Sequence, residues 1–293
     1  MQLLFGPEPF RKIVLEPGVP CTVGRGHRAD AVLTRDKTLR GRHFEILWNG
    51  TVAEVRALDD PDSLEINGEK APAGELKNRG WLRAGETSFC FYVEGLTPAR
   101  EPRPAHPAVP KVIEALAPYR ASGALYAVID AARSERALEL MEEAVDDHAS
   151  LFEGAAGRGM DQVAPYLVHF AAGSELLDRL LAEGWGDAFG IYLASSVGPK
   201  LVRRHWRRFL IVTADPTGER LYFRYYDPRV LRAFLPIATP RQASELHADL
   251  EAIFYEDEAG ALVRSSVAAL DSSSLGDAAG ATRAGEANDV SHP

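Results

Sequence analysis

Two cysteines in 293 residues cannot build a disulfide framework, and Cys21 and Cys90 stand too far apart for any usual zinc spacing. Both fall in strand-like segments and read as free buried thiols. No apolar run approaches the roughly 20 residues that a membrane span needs. Met1-Gln-Leu-Leu-Phe5 meets Gly6-Pro7-Glu8-Pro9 at once, which is no signal-peptide core, so a cytoplasmic location is expected. No glycine-rich phosphate loop follows a strand, no Gly-x-Ser-x-Gly elbow appears and no histidine pair has metal spacing. Neither cofactor nor metal is expected. Basic excess is missing too. The net charge is −9, and residues 1–100 hold 14 Lys or Arg against 14 Asp or Glu, so the other 19 basic and 28 acidic residues carry the deficit. That balance argues against duplex nucleic acid as the main partner.

What is present suits a soluble chain of two domains. Residues 1–96 read as short strands separated by turns, a β-sandwich pattern: Lys12–Leu15, Cys21–Gly24, His43–Trp48, Thr51–Ala57, Leu64–Ile66, Gly80–Leu82 and Thr87–Val93. Asn49-Gly50 predicts a type I′ hairpin between Trp48 and Thr51. Residues 97–122 form a linker, with five prolines between Thr97 and Pro110 and a short lead-in helix near Val112–Leu116. Residues 123–264 alternate strands and helices, which predicts an α/β domain, and a late hairpin makes its sheet mixed. Residues 265–293, rich in Ser, Ala, Gly and Asp, read as a disordered tail.

In the first domain the punctuating residues come in a telling order. Val23-Gly24-Arg25 is followed by Leu39-Arg40-Gly41-Arg42-His43, then the acidic turn Asp59–Asp62, Asn67-Gly68, and Leu82-Arg83-Ala84-Gly85-Glu86. This resembles the forkhead-associated (FHA) family, with its Gly-Arg, Ser-Arg-x-His, Asn-Gly and Leu-x-x-Gly-Asp. The resemblance implies a sandwich whose loops bind phosphothreonine peptides, Arg25 on the phosphate and His43 bracing the loop. The module is degenerate. Arg40 stands where the family has its phosphate-binding Ser, and Asp62 where it has its peptide-gripping Asn. An Asp there repels phosphate, while Arg40 and Arg42 return positive charge in another geometry. Two uses stay open, phosphopeptide binding and docking of a protein without phosphate. So does a third reading, that these arginines are solvated loop charges.

In the second domain the expected strands are Leu125–Ile129, Pro165–Phe170, Phe189–Ser195, Phe209–Thr213 and Leu221–Tyr226. The expected helices are Glu135–Asp147, Glu175–Glu183, Pro199–Arg208 and Arg241–Phe254, with 154–159 a glycine-rich loop. At the junction Tyr226-Asp227-Pro228-Arg229 a strand turns into a helix, Asp227 capping it and Pro228 filling the first position. Arg229 and Arg232 lie one turn apart on that helix.

Leu125–Asp130, Gly184-Trp185-Gly186, Arg203–Phe209 and Tyr226-Asp-Pro-Arg229 together resemble the effector-adaptor family of bacterial type VI secretion, the Tap or Tec chaperones (DUF4123). The resemblance implies a protein that holds a toxin effector and loads it onto the VgrG spike. Its signature here comprises Asp130, Trp185, Tyr226, Asp227, Pro228, Arg229 and Arg232. The basic helix face Arg203, Arg204 and Arg207, with Trp206, is a candidate effector-docking face, against the plainer reading of a solvated face over a core tryptophan. The expected function is a non-catalytic adaptor. The alternatives are a phosphothreonine-reading scaffold and, more remotely, an α/β hydrolytic enzyme using Asp130 or Asp227.

Overall fold

The computed structural model describes residues 1–5, 7, 11–99, 102–152, 160–214 and 217–266. The expected loop 154–159, the start of the hairpin turn at Asp215-Pro216 and tail residues 267–293 lie outside the described residues.

The first domain is a β-sandwich of short strands: β1 (Gln2–Phe5), β2 (Pro20–Gly24), β3 (Ala31–Val32), β4 (Phe44–Trp48), β5 (Ala53–Ala57), β6 (Leu64–Ile66), β7 (Glu69–Lys70), β8 (Ala73–Leu76), β9 (Trp81–Ala84) and β10 (Thr87–Cys90). They form two sheets, β1-β10-β9-β6-β7 and β3-β2-β4-β5-β8. Alternation makes the core between them. Phe44, Ile46 and Val55 point inward while Glu45, Glu54 and Arg56 do not, and Phe44 meets Phe89 edge to face at 5.5 Å.

Two local expectations fail. The type I′ turn is Asn67-Gly68, with φ of 49° and 94°, joining β6 to β7. At Asn49 the side chain instead accepts bonds from the N–H groups of Thr51 and Val52, so only Gly50 takes positive φ. Lys12–Leu15 makes a single bridge to Gln2 rather than a strand.

The second domain runs α1 (Val109–Ala121), β11 (Leu125–Asp130), α2 (Glu135–Glu143), β12 (Asp147–Ser150), β13 (Pro165–His169), α3 (Leu176–Gly184), β14 (Gly190–Ala194), α4 (Pro199–Arg207), β15 (Ile211–Thr213), β16 (Arg220–Tyr222), α5 (Pro228–Phe234), α6 (Pro240–Leu246), β17 (Ala252–Glu256) and β18 (Leu262–Ser265). Its sheet has the order β12-β13-β11-β14-β17-β18. The helical crossovers do join parallel strands, β11 to β12 and β13 to β14. Each such pair has an antiparallel strand between its members, however, so every neighbouring pairing is antiparallel. The hairpin β15-β16 stands as a separate two-stranded sheet.

Period-2 alternation divides the residues between two cores. Leu125, Ala127 and Ile129 face α1, α2 and α3, whereas Tyr126 and Val128 face α4, α5 and α6. Helices therefore cover both faces of the sheet. Among the described residues no helix is long and apolar enough to cross a membrane.

Three boundaries move. Val109, Val112 and Leu116 are buried in the second core, so α1 belongs to that domain and not to a linker. The helix expected over 241–254 ends at Leu246. Asp249 takes a φ of 63°, and the chain returns as β17 inside the sheet. Ser265, placed in the tail by composition, pairs with Ile253 in β18 and shares a bond with His247.

The domains touch directly. Lys12 Nζ donates to the carbonyl oxygens of Met141, Ala144 and Asp146 at 2.6–2.7 Å, just where α2 leaves its last carbonyls free. Arg79 pairs with Glu139 at 3.3 Å, and Arg136 and Arg179 both donate to Thr97 O at the linker start. The proline-rich segment is thus held against the second domain at Thr97, and again where Arg103 pairs with Asp187.

Candidate functional site

Two places carry the residues singled out by sequence. On the sandwich, Gly24 is indispensable. A Cβ there would stand 2.4 Å from Gly41 O, so only glycine lets the Arg25 loop lie against the Arg40 loop. Arg25 N then donates to Arg40 O at 2.9 Å. The loops enclose a cavity of about 470 Å³ lined by Arg25, Lys37, Thr38, Arg40, His43 and Asp60. His43 is buried and braces it, Nδ1 accepting from Arg40 N at 3.0 Å with Nε2 3.3 Å from Ser63 O. Arg40 pairs with Asp60 at 3.1 Å. The hydrogen bond from Asp62 N, then the Arg40 guanidinium, hold the Asp60 carboxyl below the usual range.

Three expected contacts lie elsewhere. Asp62 does not line the cavity; it only donates its N–H to Asp60, the acid that does face Arg40. Asn67 serves the hairpin, accepting from Trp81 N and donating to Glu75 O. Arg42 is exposed outside the cavity. Asp60 comes to the cavity from a loop distant in sequence, whereas Lys37 and Thr38 lie just ahead of Arg40 in its own loop, outside the motif residues. Arg25, Lys37 and Arg40 against Asp60 leave the cavity an excess of positive charge.

In the second domain the Tyr226-Asp-Pro-Arg229 element does three separate jobs. Asp227 caps α5: its Oδ1 accepts from Arg229 N at 3.0 Å and from Nε at 2.9 Å, and its Oδ2 accepts from Nη2 at 2.6 Å. Burial pushes this carboxyl up, but the bonds from Arg229 outweigh it and the net shift is downward. Pro228 occupies the first helical turn, where its lack of N–H costs nothing. Tyr226 OH meets Tyr222 OH at 2.9 Å. Arg232, further along α5, pairs with Glu258 at 3.2 Å.

The strand expected to reach Tyr226 stops at Tyr222. Asp227 N bonds Arg224 O in a turn, so Tyr225 and Tyr226 both face inward instead of alternating. Asp130, fully buried at the end of β11, accepts from Ala132 N and is paired with Arg224. Both candidate acid–base carboxylates are thereby engaged by guanidinium groups. Trp185 is buried and donates to Gly260 O at 2.7 Å, while Glu256 accepts from the N–H groups of Gly186 and Ala188 beside it. The signature residues are fasteners between elements.

The Asp227 cap sets a first expectation. Asp227→Ala should cost about 1 kcal/mol, as cap losses do, and Asp227→Asn less. Because the folded carboxyl titrates below its ordinary value, its contribution is present above the usual carboxylate range and is lost as pH falls through the lowered value. Urea midpoints of wild type and Asp227→Ala should therefore converge between pH 7 and strongly acid pH.

The structure divides the residues of the basic α4 face. Trp206 is fully buried. Arg203 donates to Ser150 O and Arg207 to Leu151 O, tying α4 to the end of β12. Arg204 is the one of the three arginines that is exposed. Spacing on a helix gave no sign that carbonyl oxygens at a strand end would claim two of them.

Residues 125–245 match the family described as "Domain of unknown function (DUF4123)", which falls on the strand-and-helix domain behind the sandwich. No curated protein matches the chain. Among solved structures, one similar to it is the FhaA FHA domain complexed with an intracellular domain, 29% identical, covering 30% of this chain and 91% of that one at a TM-score of 0.27. Another, from work on phosphothreonine-dependent FHA domain interactions, is 28% identical over 30% of this chain and 88% of that one, at 0.27. An FHA domain from Chlamydia trachomatis is 22% identical over 30% and 90%, at 0.28.

Proposed function

We propose that this chain is a non-catalytic adaptor that holds a toxin effector of type VI secretion and helps load it onto the VgrG spike. The observation that carries the reading is the DUF4123 match over 125–245, on the same residues whose order resembles the effector-adaptor family. Two features support it. Asp130 and Asp227, the carboxylates an α/β enzyme would use, are buried and paired with Arg224 and Arg229. Large apolar side chains stand in solvent on the hairpin β15-β16, Ile211, Leu221 and Tyr222 each more than 40% exposed.

The test is co-purification of the full chain from its native host with identification of retained proteins. A toxin-like protein or a VgrG protein retained at stoichiometric level is the expected result, and neither retained would end the reading.

The Arg25–Lys37–Arg40 cavity favours a second role beside the first, capture of a phosphoprotein by the FHA-like sandwich. A phosphothreonine peptide should bind the wild type and lose at least tenfold in affinity with Arg25→Ala, while its unphosphorylated form should not bind. Arg25 is exposed, so thermal stability should not move. Equal binding of both peptide forms would remove the role.

A further inference from the structure

The hairpin β15-β16 and the helices beneath it leave a surface that nothing among the described residues completes. Between α4, the hairpin, α5 and α6 lies a groove of about 630 Å³. Its apolar lining includes Phe209, Val212, Phe223, Phe234 and Leu246. On the hairpin Leu221 is solvent-exposed directly opposite the lining residue Val212, and Ile211 and Tyr222 are exposed on the alternate positions, on two short strands that pair only with each other among the described residues.

Charge around this groove runs against that of the whole chain. Residues 199–241 hold ten Lys or Arg and three Asp or Glu, in a chain of net charge −9. Four of the ten are neutralised in ion pairs: Arg224 with Asp130, Arg229 with Asp227, Arg232 with Glu258 and Arg241 with Glu245. Glu245, the one acid lining the groove among the described residues, is thus already matched. Arg208 lines the groove, stands 4.8 Å over the Phe209 ring and, among the described residues, donates to uncharged acceptors alone, Glu245 O and His205 Nδ1. Arg220 is exposed opposite Thr213, another lining residue, with no carboxylate in ion-pair range among the described residues.

The geometry points to an acidic segment of the bound partner, with apolar side chains spaced along it, as the occupant of this groove, laid in extended form along the hairpin edge. Apolar side chains fill the aromatic lining, acidic ones meet Arg208 and Arg220, and the free strand edge supplies backbone hydrogen bonds. This rests on the adaptor reading and names the part of the partner that the adaptor grips.

The test uses the full chain and a labelled synthetic peptide alternating Leu with Glu and Asp, followed by fluorescence anisotropy. The expected result is saturable binding, at least tenfold weaker for the same peptide with Lys in place of the acids, and weakened by added salt. Arg208→Glu with Arg220→Glu should lose at least tenfold. Leu221→Asp, an exposed change that leaves the core intact, should do the same. Melting temperatures of all variants serve as the folding control. Absent binding, equal binding of the lysine peptide, or unchanged affinity in the folded variants would overturn the assignment. So would a tenfold gain on deleting residues 267–293, which hold four acids and one Arg, because the groove would then belong to the chain's own terminus. Failure of the adaptor reading is seen separately, in whether wild-type protein retains any partner from its host.

Discussion

Trp206→Ala is expected to destabilise the second domain severely, moving its urea midpoint far below that of wild type. Trp206 has no exposed surface and lies against Tyr225 with ring centroids 4.7 Å apart. His205 meets it edge-on at 5.2 Å and Phe209 at 6.1 Å, so its removal hollows out an aromatic cluster on one whole face of the sheet. Large-to-small changes of this kind cost about 3–5 kcal/mol, a large share of the 5–15 kcal/mol that typically holds a domain. Trp206→Phe should behave quite differently. The indole Nε1 is buried with no partner among the described residues, so phenylalanine removes an unpaired donor while keeping most of the ring, and a change below about 1.5 kcal/mol is expected. Urea denaturation followed by far-UV circular dichroism separates the two. If Trp206→Ala kept its midpoint and lost only a partner, the residue would be a surface anchor and the packing account would be wrong.

Lys12→Met should uncouple the two domains. One ammonium has three donors, and here all three are used on the carbonyl oxygens of Met141, Ala144 and Asp146 at the end of α2. A cation at that end is also favoured by the helix dipole. Methionine fills the same space but leaves three carbonyls to find water, an expected loss of about 2–4 kcal/mol across the interface. Arginine is no substitute, because its planar fork cannot converge three donors on one point. Calorimetry should show one cooperative transition for wild type and two for Lys12→Met. A single transition at unchanged temperature would mean that the remaining contacts, such as Arg79–Glu139, hold the domains together without it.

These expectations rest on contacts of unequal legibility. Asp227-Pro228 announced its helix because a cap and an N1 proline are local chemistry, and the structure places both as read. Leu64–Ile66 alternates, and Pro165–Phe170 and Phe189–Ser195 are mostly apolar runs; the structure has strands at Leu64–Ile66, Pro165–His169 and Gly190–Ala194. By contrast β12, Asp147-His-Ala-Ser150, has no apolar alternation; its partner β13 makes it a strand. β17 was read as more of α6, because Leu246, Leu250, Ile253 and Phe254 keep helical spacing. The break depends on Asp249 taking a left-handed backbone, which propensity alone does not announce. The sites divide in the same way. Arg25 and His43 were found because they sit beside Gly24 and Gly41 in a short motif. Lys37 stands outside that motif, and Asp60 reaches the same cavity only through the fold. The α4 arginines showed the opposite failure: a clear helical stripe, most of which is spent inside the molecule.

The most direct test of the adaptor account is intact-mass measurement on the complex recovered from the native host, under native and then denaturing conditions. The account predicts a defined assembly of this chain with an effector, in which the effector's mass equals that of the same protein made without this chain. An effector whose mass has changed by a cleaved or added group would show chemistry performed on it, and a chain that emerges with no partner would show no holding at all. Either result would contradict the account.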